Sequence, residues 1–319
     1  MTQHAVFDIG STNFRYALAT SGGEFATPIY TRKTPCEGVV DRLLASTAEL
    51  IDQADGSIES ICIATTGLVD QKRGIIARFD TRMGVRDLTN LDVRDELVDR
   101  FAIDVYLEND VNAAALAEYY FGAGREYTSL LHVNIGSGIG AGIVDRAQLL
   151  RGEDGFAGEV GMITVSEDAS LSASGVPGAW EAYCSGEGIE QFVIQKLKDE
   201  KRETGLDQLT RFTANDLFEV ARTGDAVAQD YLDEIGRYNA VALSSLLNVL
   251  NPGTVTFGGS VPINNPSEIL DPLEDHVREK ALVPVPPIQL SELGSKAGLL
   301  GALAVCTHGR TGAGERISR

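Results

Sequence analysis

The residues best placed to do chemistry are concentrated in Val105-Tyr106-Leu107-Glu108-Asn109-Asp110-Val111-Asn112, which runs directly into Ala113-Ala114-Ala115-Leu116-Ala117-Glu118. A β-branched and aromatic stretch stops at a polar cluster and passes at once into strong helix formers. An aspartate is therefore presented at a strand-to-helix corner, with Asp110 or Asn109 as the N-cap. Ligands of α/β folds gather beyond the carboxyl ends of strands, and a helix start adds unpaired N–H groups, which suits a polar reacting group. Asp and Asn are also ordinary caps, so the stretch alone balances a chemical role against a purely structural one.

Glycine turns form the second set. The segment from Ala5 to Ala19 reads as strand, tight polar turn, strand. Gly10 can approach a ligand closely, while Ser11, Thr12 and Asn13 offer hydroxyl, amide and N–H donors. Asp8 faces the same turn, where a carboxylate could hold a hydrated Mg²⁺. The segment from His132 to Val144 repeats this shape, with Ile135-Gly136-Ser137 aligned on Ile9-Gly10-Ser11 and Gly138 following. Such a duplication implies two similar halves whose turns face each other, and turns of this kind can clamp the phosphates of one nucleotide without a lysine. A third turn, Gly258-Gly259-Ser260 after the strand Thr254-Val255-Thr256-Phe257, suits the close approach of an adenosine or ribose. Two further carboxylates are candidates. Glu159 lies in the small-residue loop from Gly155 to Met162, where a solvated connector explains it equally well. Glu181 lies in the first turns of a helix starting near Pro177 or Gly178, where dipole complementation accounts for it without any function.

The elements that must position these groups alternate between strand and helix. A helix spans about Gly38 to Ala54, and a buried strand from Ser60 to Thr65 runs into Thr66-Gly67-Leu68-Val69-Asp70, so a parallel pair is expected. The polar segment from Ala77 to Gly84 reads as a loop, and a helix from Val93 to Arg100 leads to the strand that delivers Asp110. Helical patterns then fill 186–200 and 213–249, with a charged surface excursion from Lys196 to Asp207. The pattern from Tyr231 ends at Asn251-Pro252. Ala297 to Thr307 reads as an apolar closing helix and Gly309 to Arg319 as a frayed end.

A chain of 319 residues exceeds the usual single core, so two domains or lobes around a cleft are expected. No run of eighteen apolar residues occurs and no signal peptide is visible, so no membrane partner is expected. Four scattered cysteines without C-x-x-C spacing argue against a disulfide framework and a zinc knuckle, and fit a reducing cytoplasm. A formal charge of −19 repels phosphate backbones and argues against a nucleic-acid partner. Only seven of the 27 basic residues are lysine, and that balance fits a protein working in high salt.

Taken together, Asp8-Ile9-Gly10-Ser11-Thr12-Asn13, Glu108-Asn109-Asp110-Val111-Asn112-Ala113-Ala114, Asn134-Ile135-Gly136-Ser137-Gly138-Ile139-Gly140, Gly158-Glu159-Val160-Gly161 and Phe257-Gly258-Gly259-Ser260 resemble the ROK sugar kinases, closest in pattern to bacterial-type and archaeal glucokinases. The resemblance implies an α/β, two-lobed actin-like ATPase (ribonuclease H-like) fold with a central cleft. Its small lobe would be 1–109, completed by the C-terminal helix 297–319, and its large lobe 110–296. It implies transfer of the γ-phosphoryl group of ATP to a sugar hydroxyl, most simply the 6-hydroxyl of glucose, with Asp110 as general base. Asn109, Glu159, Glu181 and Gly67 would contact the sugar. Asp8 would hold Mg²⁺ through water, and Gly10, Ser11, Thr12, Asn13, Gly136, Ser137, Gly138, Gly258 and Gly259 would serve the nucleotide. A homodimer is also implied, with the helices after Gly186 as its interface.

Departures from the family pattern are informative. The positions of its zinc ligands hold Ser172, Ser174, Ala179 and Met162, none of which supplies a thiolate or imidazole, so no zinc is expected. Met162 replaces a histidine that also touches sugar, and Phe79 to Val85 lacks the family's usual sugar-binding pattern, which leaves fructose, mannose or an N-acetylhexosamine open as substrate. The family also includes sugar-responsive repressors, which carry an N-terminal winged helix, and a sugar-binding protein without turnover is a further alternative. Here the first lobe strand starts within the opening few residues, which favours the enzyme.

Overall fold

The computed structural model describes residues 2–79, 88–168, 170–208 and 212–308. They form two compact units, one drawn from residues 1–130, 142–158 and 292–319 and the other from residues 131–141 and 159–291. The first unit opens with β1 (Gln3–Ile9), β2 (Asn13–Thr20), β3 (Tyr30–Lys33), α1 (Val39–Gln53) and β4 (Ile58–Thr65). The short strands β5 (Leu68–Asp70), β6 (Ile75–Phe79) and β7 (Leu88–Asp92) then pair antiparallel in a small sheet of their own. After α2 (Arg94–Phe101), β8 (Asp104–Asn109) passes directly into α3 (Asp110–Phe121). The main sheet has the order β3-β2-β1-β4-β8, with β1, β4 and β8 parallel and β2 and β3 added antiparallel.

Period-two alternation sorts side chains onto the two faces of this sheet. Phe7, Ile9, Phe14, Tyr16, Leu18, Ile61, Ile63 and Leu107 build one core with Val39, Leu43 and Leu50 of α1. The opposite face is small: Val6, Ala17, Ala19, Cys62 and Ala64 lie against Ala113, Ala115 and Leu116 of α3 and against residues 299–306 from the far end of the chain. Small side chains let helices pack close to the sheet, and at Gly301 an added Cβ would overlap the Ala113 carbonyl.

Next come β9 (Ser129–Ile135), β10 (Ile139–Asp145), β11 (Gln148–Leu149), β12 (Ser172–Ala173), β13 (Val176–Pro177), α4 (Trp180–Cys184), α5 (Gly186–Asp199) and α6 (Ala214–Arg222). The chain continues through α7 (Ala226–Leu250), β14 (Thr254–Gly258), α8 (Ser260–Asn264), α9 (Pro266–Lys280) and β15 (Ile288–Leu290), and α10 (Ala297–Thr307) belongs to the first unit. The second five-stranded sheet runs β11-β10-β9-β14-β15, the same succession of elements as the first, with β14 and β15 parallel. The echo between the two glycine turns is thus an echo of whole sheets. The spine of the second unit is α7: Trp180 Nε1 donates to Asn239 Oδ1 at 2.7 Å, and Gly236 makes room for Pro272 of α9.

Several expectations change. Because α3 packs on α10, it belongs to the first unit, so this division differs from a boundary between Asn109 and Asp110. Ala77 to Phe79 is strand rather than loop, with Phe79 fully buried, whereas the rest of that expected loop, from Asp80, lies outside the described residues. Pro177 pairs in β13, and the helix carrying Glu181 starts at Trp180. Lys196 stays on α5 because its ammonium bridges Glu200 at 3.0 Å and Glu234 at 2.7 Å. Cys62 and Cys306 form a disulfide, although their scatter argued against a disulfide framework, because β4 and α10 bring together residues 244 apart in sequence. None of the helices among the described residues is long and apolar enough to cross a membrane.

Candidate active site

At the β8–α3 corner the capping role falls to Asn109. Its Oδ1 accepts from the N–H groups of Val111 at 2.9 Å and Asn112 at 3.3 Å, and its Nδ2 donates to the Gly67 carbonyl at 3.1 Å. Asp110 is thereby the first residue of the helix. Its Oδ1 accepts from Val111 N–H at 3.0 Å, and its Oδ2 takes no hydrogen bond among the described residues. Burial, reinforced by the negative charge of Asp8, pushes the Asp110 carboxyl up to about 7, against the pull of the Val111 N–H. The side chain still keeps part of its surface open. A carboxylate that titrates near neutrality and has an open oxygen is equipped to accept a proton from a bound hydroxyl.

Glu108 fixes this corner, and no functional residue read from the sequence anticipated it. It is 2 % exposed; Oε1 accepts from Asn109 N–H at 3.0 Å and Asn112 Nδ2 at 3.1 Å, while Oε2 accepts from Arg151 Nε at 2.9 Å and from Gln71 Nε2. The available signal was a carboxylate beside Leu107 in a buried strand, because such a group requires partners. Gly67 is held by geometry too. Its φ is +89°, and an added Cβ would overlap the Arg78 carbonyl.

Asp8 lies on the same side of the first unit. Burial raises its pKa and Arg15 lowers it; Arg15 Nη1 donates to Asp8 Oδ2 at 3.4 Å and to the Ser295 carbonyl at 3.3 Å. At Gly298 of α10 an added Cβ would overlap the Asp8 carboxyl. Asp8 is near enough to raise the pKa of Asp110, and its carboxylate oxygens are the donor type that suits Mg²⁺. Beside them Gly10 N–H closes its turn onto the Asn13 carbonyl at 2.9 Å, Thr34 Oγ1 donates to the Gly10 carbonyl at 2.7 Å, and Thr12 and Asn13 stay exposed, with Ser11 half-buried.

In the second unit Gly136 N–H donates to the Gly138 carbonyl at 2.9 Å, and Gly186 N–H donates to the Gly136 carbonyl at 2.7 Å, with Ser137 exposed at the tip. Glu181 is tied to this turn rather than serving only the helix dipole: its Oε2 accepts from Ile139 N–H at 2.7 Å and sits where a Cβ on Gly138 would go. Burial and the nearby Glu181 raise the pKa of Glu159, so these two carboxylates are neighbours.

The glycines separate into two groups. Gly259 has φ +88° and its Cβ would overlap the Ile135 carbonyl, while a Cβ on Gly258 would come 2.8 Å from His132 Cε1. Close packing on β9 therefore demands both, a reason different from ligand approach. His132 itself is buried and its pKa is lowered to about 4, so it is neutral. By contrast, a Cβ on Gly10 would meet nothing nearer than 3.5 Å and one on Gly136 nothing nearer than 3.8 Å. Internal packing does not call for glycine at these two turns, and the space is open to a ligand. Ser172 and Ala173 pair with Pro177 and Val176 in a small hairpin, and Ala179 bridges to Thr164. A cavity of about 130 Å³, lined by Tyr183, Phe192, Lys196, Glu234 and Tyr238 among others, contains none of the expected site residues.

Two sheets of matching order with helices between their strands, and an aspartate at a strand end, define a two-lobed actin-like ATPase fold. The ROK family model matches residues 5–308, and the chain belongs to the ROK family. Over 309 residues it is 31% identical to a glucokinase of Thermotoga maritima, covering 93% of this chain and 95% of that one. The solved ROK hexokinase of Thermus thermophilus is similar at 28% identity with a TM-score of 0.84, covering 97% and 99% of the two chains. A ROK family glucokinase of Streptomyces griseus, solved with glucose and AMPPNP, matches at 29% identity with a TM-score of 0.74, covering 95% and 98%.

Proposed function

We propose that the protein is an ATP-dependent hexose kinase acting on the 6-hydroxyl of glucose. The observation that carries this reading is Asp110, relieved of capping by Asn109, titrating near neutrality and holding one oxygen open. Its carboxylate accepts the hydroxyl proton as the sugar oxygen bonds to the γ-phosphorus, and the bond to the bridging oxygen breaks to release ADP. Asn109, Gly67, Glu159 and Glu181 orient the sugar. Positioning of this kind supplies much of the acceleration in phosphoryl transfer. Gly10, Ser11, Thr12 and Asn13 take phosphate oxygens, as do Gly136, Ser137 and Gly138, while Gly258 and Gly259 shape the nucleoside end. Asp8 would hold Mg²⁺ through water, and the charge of the ion would neutralise the phosphates when bound. The glucokinases and hexokinase named above support the substrate class. A cytoplasmic homodimer working in high salt completes the reading.

The deciding experiment is a coupled assay of ADP release with ATP, Mg²⁺ and high KCl, testing glucose beside mannose, fructose, N-acetylglucosamine and N-acetylmannosamine, with Asp110→Asn as control. Turnover on glucose that falls by at least ~10²-fold in the variant is expected. Turnover on a different sugar alone would move the specificity, and none on any sugar would overturn the enzymatic reading.

A further inference from the structure

Cys62, in the middle of β4, is joined to Cys306, in the last turn of α10. Their Cα atoms are 5.9 Å apart, inside the range an ordinary disulfide takes. Both are fully buried on the small-residue face where α3 and α10 meet the first sheet. Beside the bond runs a polar chain that packing with Val and Ala does not require. Ser60 Oγ lies 3.4 Å from Cys62 Sγ and 2.7 Å from His4 Nδ1, and His4 Nε2 lies 2.9 Å from Oγ of the exposed Ser21. A thiol proton at the buried sulfur thus has a hydrogen-bonded route to the surface.

We propose that Cys62 and Cys306 form a thiol–disulfide site, with a small-molecule disulfide as co-reactant, whose oxidised form clamps the C-terminal helix onto the first sheet. Reaction of the reduced chain requires the last turn of α10, held by the stacking of His308 on Tyr120, to release and present Cys306. Its thiolate attacks the small disulfide R–S–S–R, forms Cys306–S–S–R and releases one R–S⁻. Cys62 gives its proton through Ser60 to His4 Nδ1, attacks Cys306 Sγ and expels the second R–S⁻. Two cysteine thiols are oxidised, one R–S–S–R is reduced to two R–SH, and the two cysteine protons end on the leaving thiolates. Helix α10 also seats Gly298 against Asp8, and the turn just before it brings the Ser295 carbonyl to Arg15. The clamp therefore steadies the wall behind Asp8; this last link rests on the role proposed for Asp8, whereas the clamp itself does not.

The test is alkylation of the whole protein, after exposure to oxidised glutathione and then unfolding in denaturant, with intact mass as the readout. Two adducts are expected without reductant, on Cys36 and Cys184, and four after reduction. Reductant should also lower Tm by roughly 5–10 °C, the order expected for a lost cross-link in a chain of this size. Cys306→Ser should show the lower Tm and no longer respond to reductant, while Cys36→Ser should respond like the wild type. Four adducts without reductant, one equivalent of bound zinc or copper that shields the thiols, or a Cys306→Ser protein that still responds would each overturn the proposal. If that variant does not fold, the adduct count and the reductant shift of the wild type decide alone. Loss of the clamp with unchanged sugar turnover would sink only the link to Asp8, and a clamped protein without turnover would sink only the kinase reading.

Discussion

At the β8–α3 corner the division of labour between Asn109 and Asp110 decides what Asp110 can do. An aspartate fully engaged as a cap would be held in its charged form well below neutrality by helix N–H groups; here burial and Asp8 win, and the group titrates near 7. Two consequences follow from one value. Sugar turnover should rise with pH through an apparent pKa near 7, a limb that a pH series of kcat/KM will show and that Asp110→Asn should lack. The folded carboxyl binds its proton more tightly than the unfolded one, whose reference value is 3.8, so between those values the folded chain holds the extra proton and stability falls as pH rises. Asp110→Asn should therefore melt higher than the wild type at about pH 8, with the difference gone near pH 4, as thermal scans at both pH values will show. Glu108 acts through its neighbours rather than on a substrate. Glu108→Ala removes four hydrogen bonds and leaves Arg151 without its buried partner, so a loss of at least about 2 kcal/mol in denaturant titration is expected, and Glu108→Gln should recover part of it.

Helix α10 shows how an element can serve a site it does not supply with functional groups. Its glycines let it lie against Ala113 of α3 and against the Asp8 carboxyl, so its register is fixed by contacts on both sides. Gly298→Ala should push Asp8 out of place: activity should drop by about tenfold or more, with a stability loss on the order of 1–3 kcal/mol from overpacking. An unaltered rate and melting curve would contradict this placement. The hairpin of β12 and β13 makes the opposite point, since backbone pairing organises a segment whose side chains offer no zinc ligands. Metal analysis of purified protein should return well under about 0.1 Zn per chain, because four oxygen, methyl and thioether side chains offer no set zinc would select.

At the scale of the molecule, charge makes a prediction about salt. With a net charge of −19 and few lysines, self-repulsion is relieved as counterions screen it. Both Tm and turnover should increase between ~0.1 M and ~2 M KCl, over which the Debye length shrinks several-fold. Unchanged or lower values would make the acidic surface incidental. The duplicated sheet order also has a clear origin at this scale. Each half buries one hydrophobic sheet under helices, and the turn between its first two strands is left at the sheet end, where Gly10 and Gly136 keep open space.

Much was legible locally. The passage from β8 to α3, the paired strand–turn–strand hairpins and the closing helix from Ala297 to Thr307 are dictated by short-range patterns of apolar period, helix propensity and turn residues, which act between neighbours in the chain. Three things depended on residues far apart in sequence. Local pattern could not choose Asn109 over Asp110 as cap, because the choice involves Gly67, 42 residues earlier. The packing of Gly258 and Gly259 against β9 was a second demand on those glycines that local pattern did not show. Cys62 and Cys306 are scattered along the sequence and become partners only once β4 and α10 pack, since a disulfide is a matter of distance in space and carries no signature in spacing. Sequence set the elements and the chemistry each could offer; tertiary packing decided which groups meet, and with that which side chain caps, which carboxylate anchors and which is left to react.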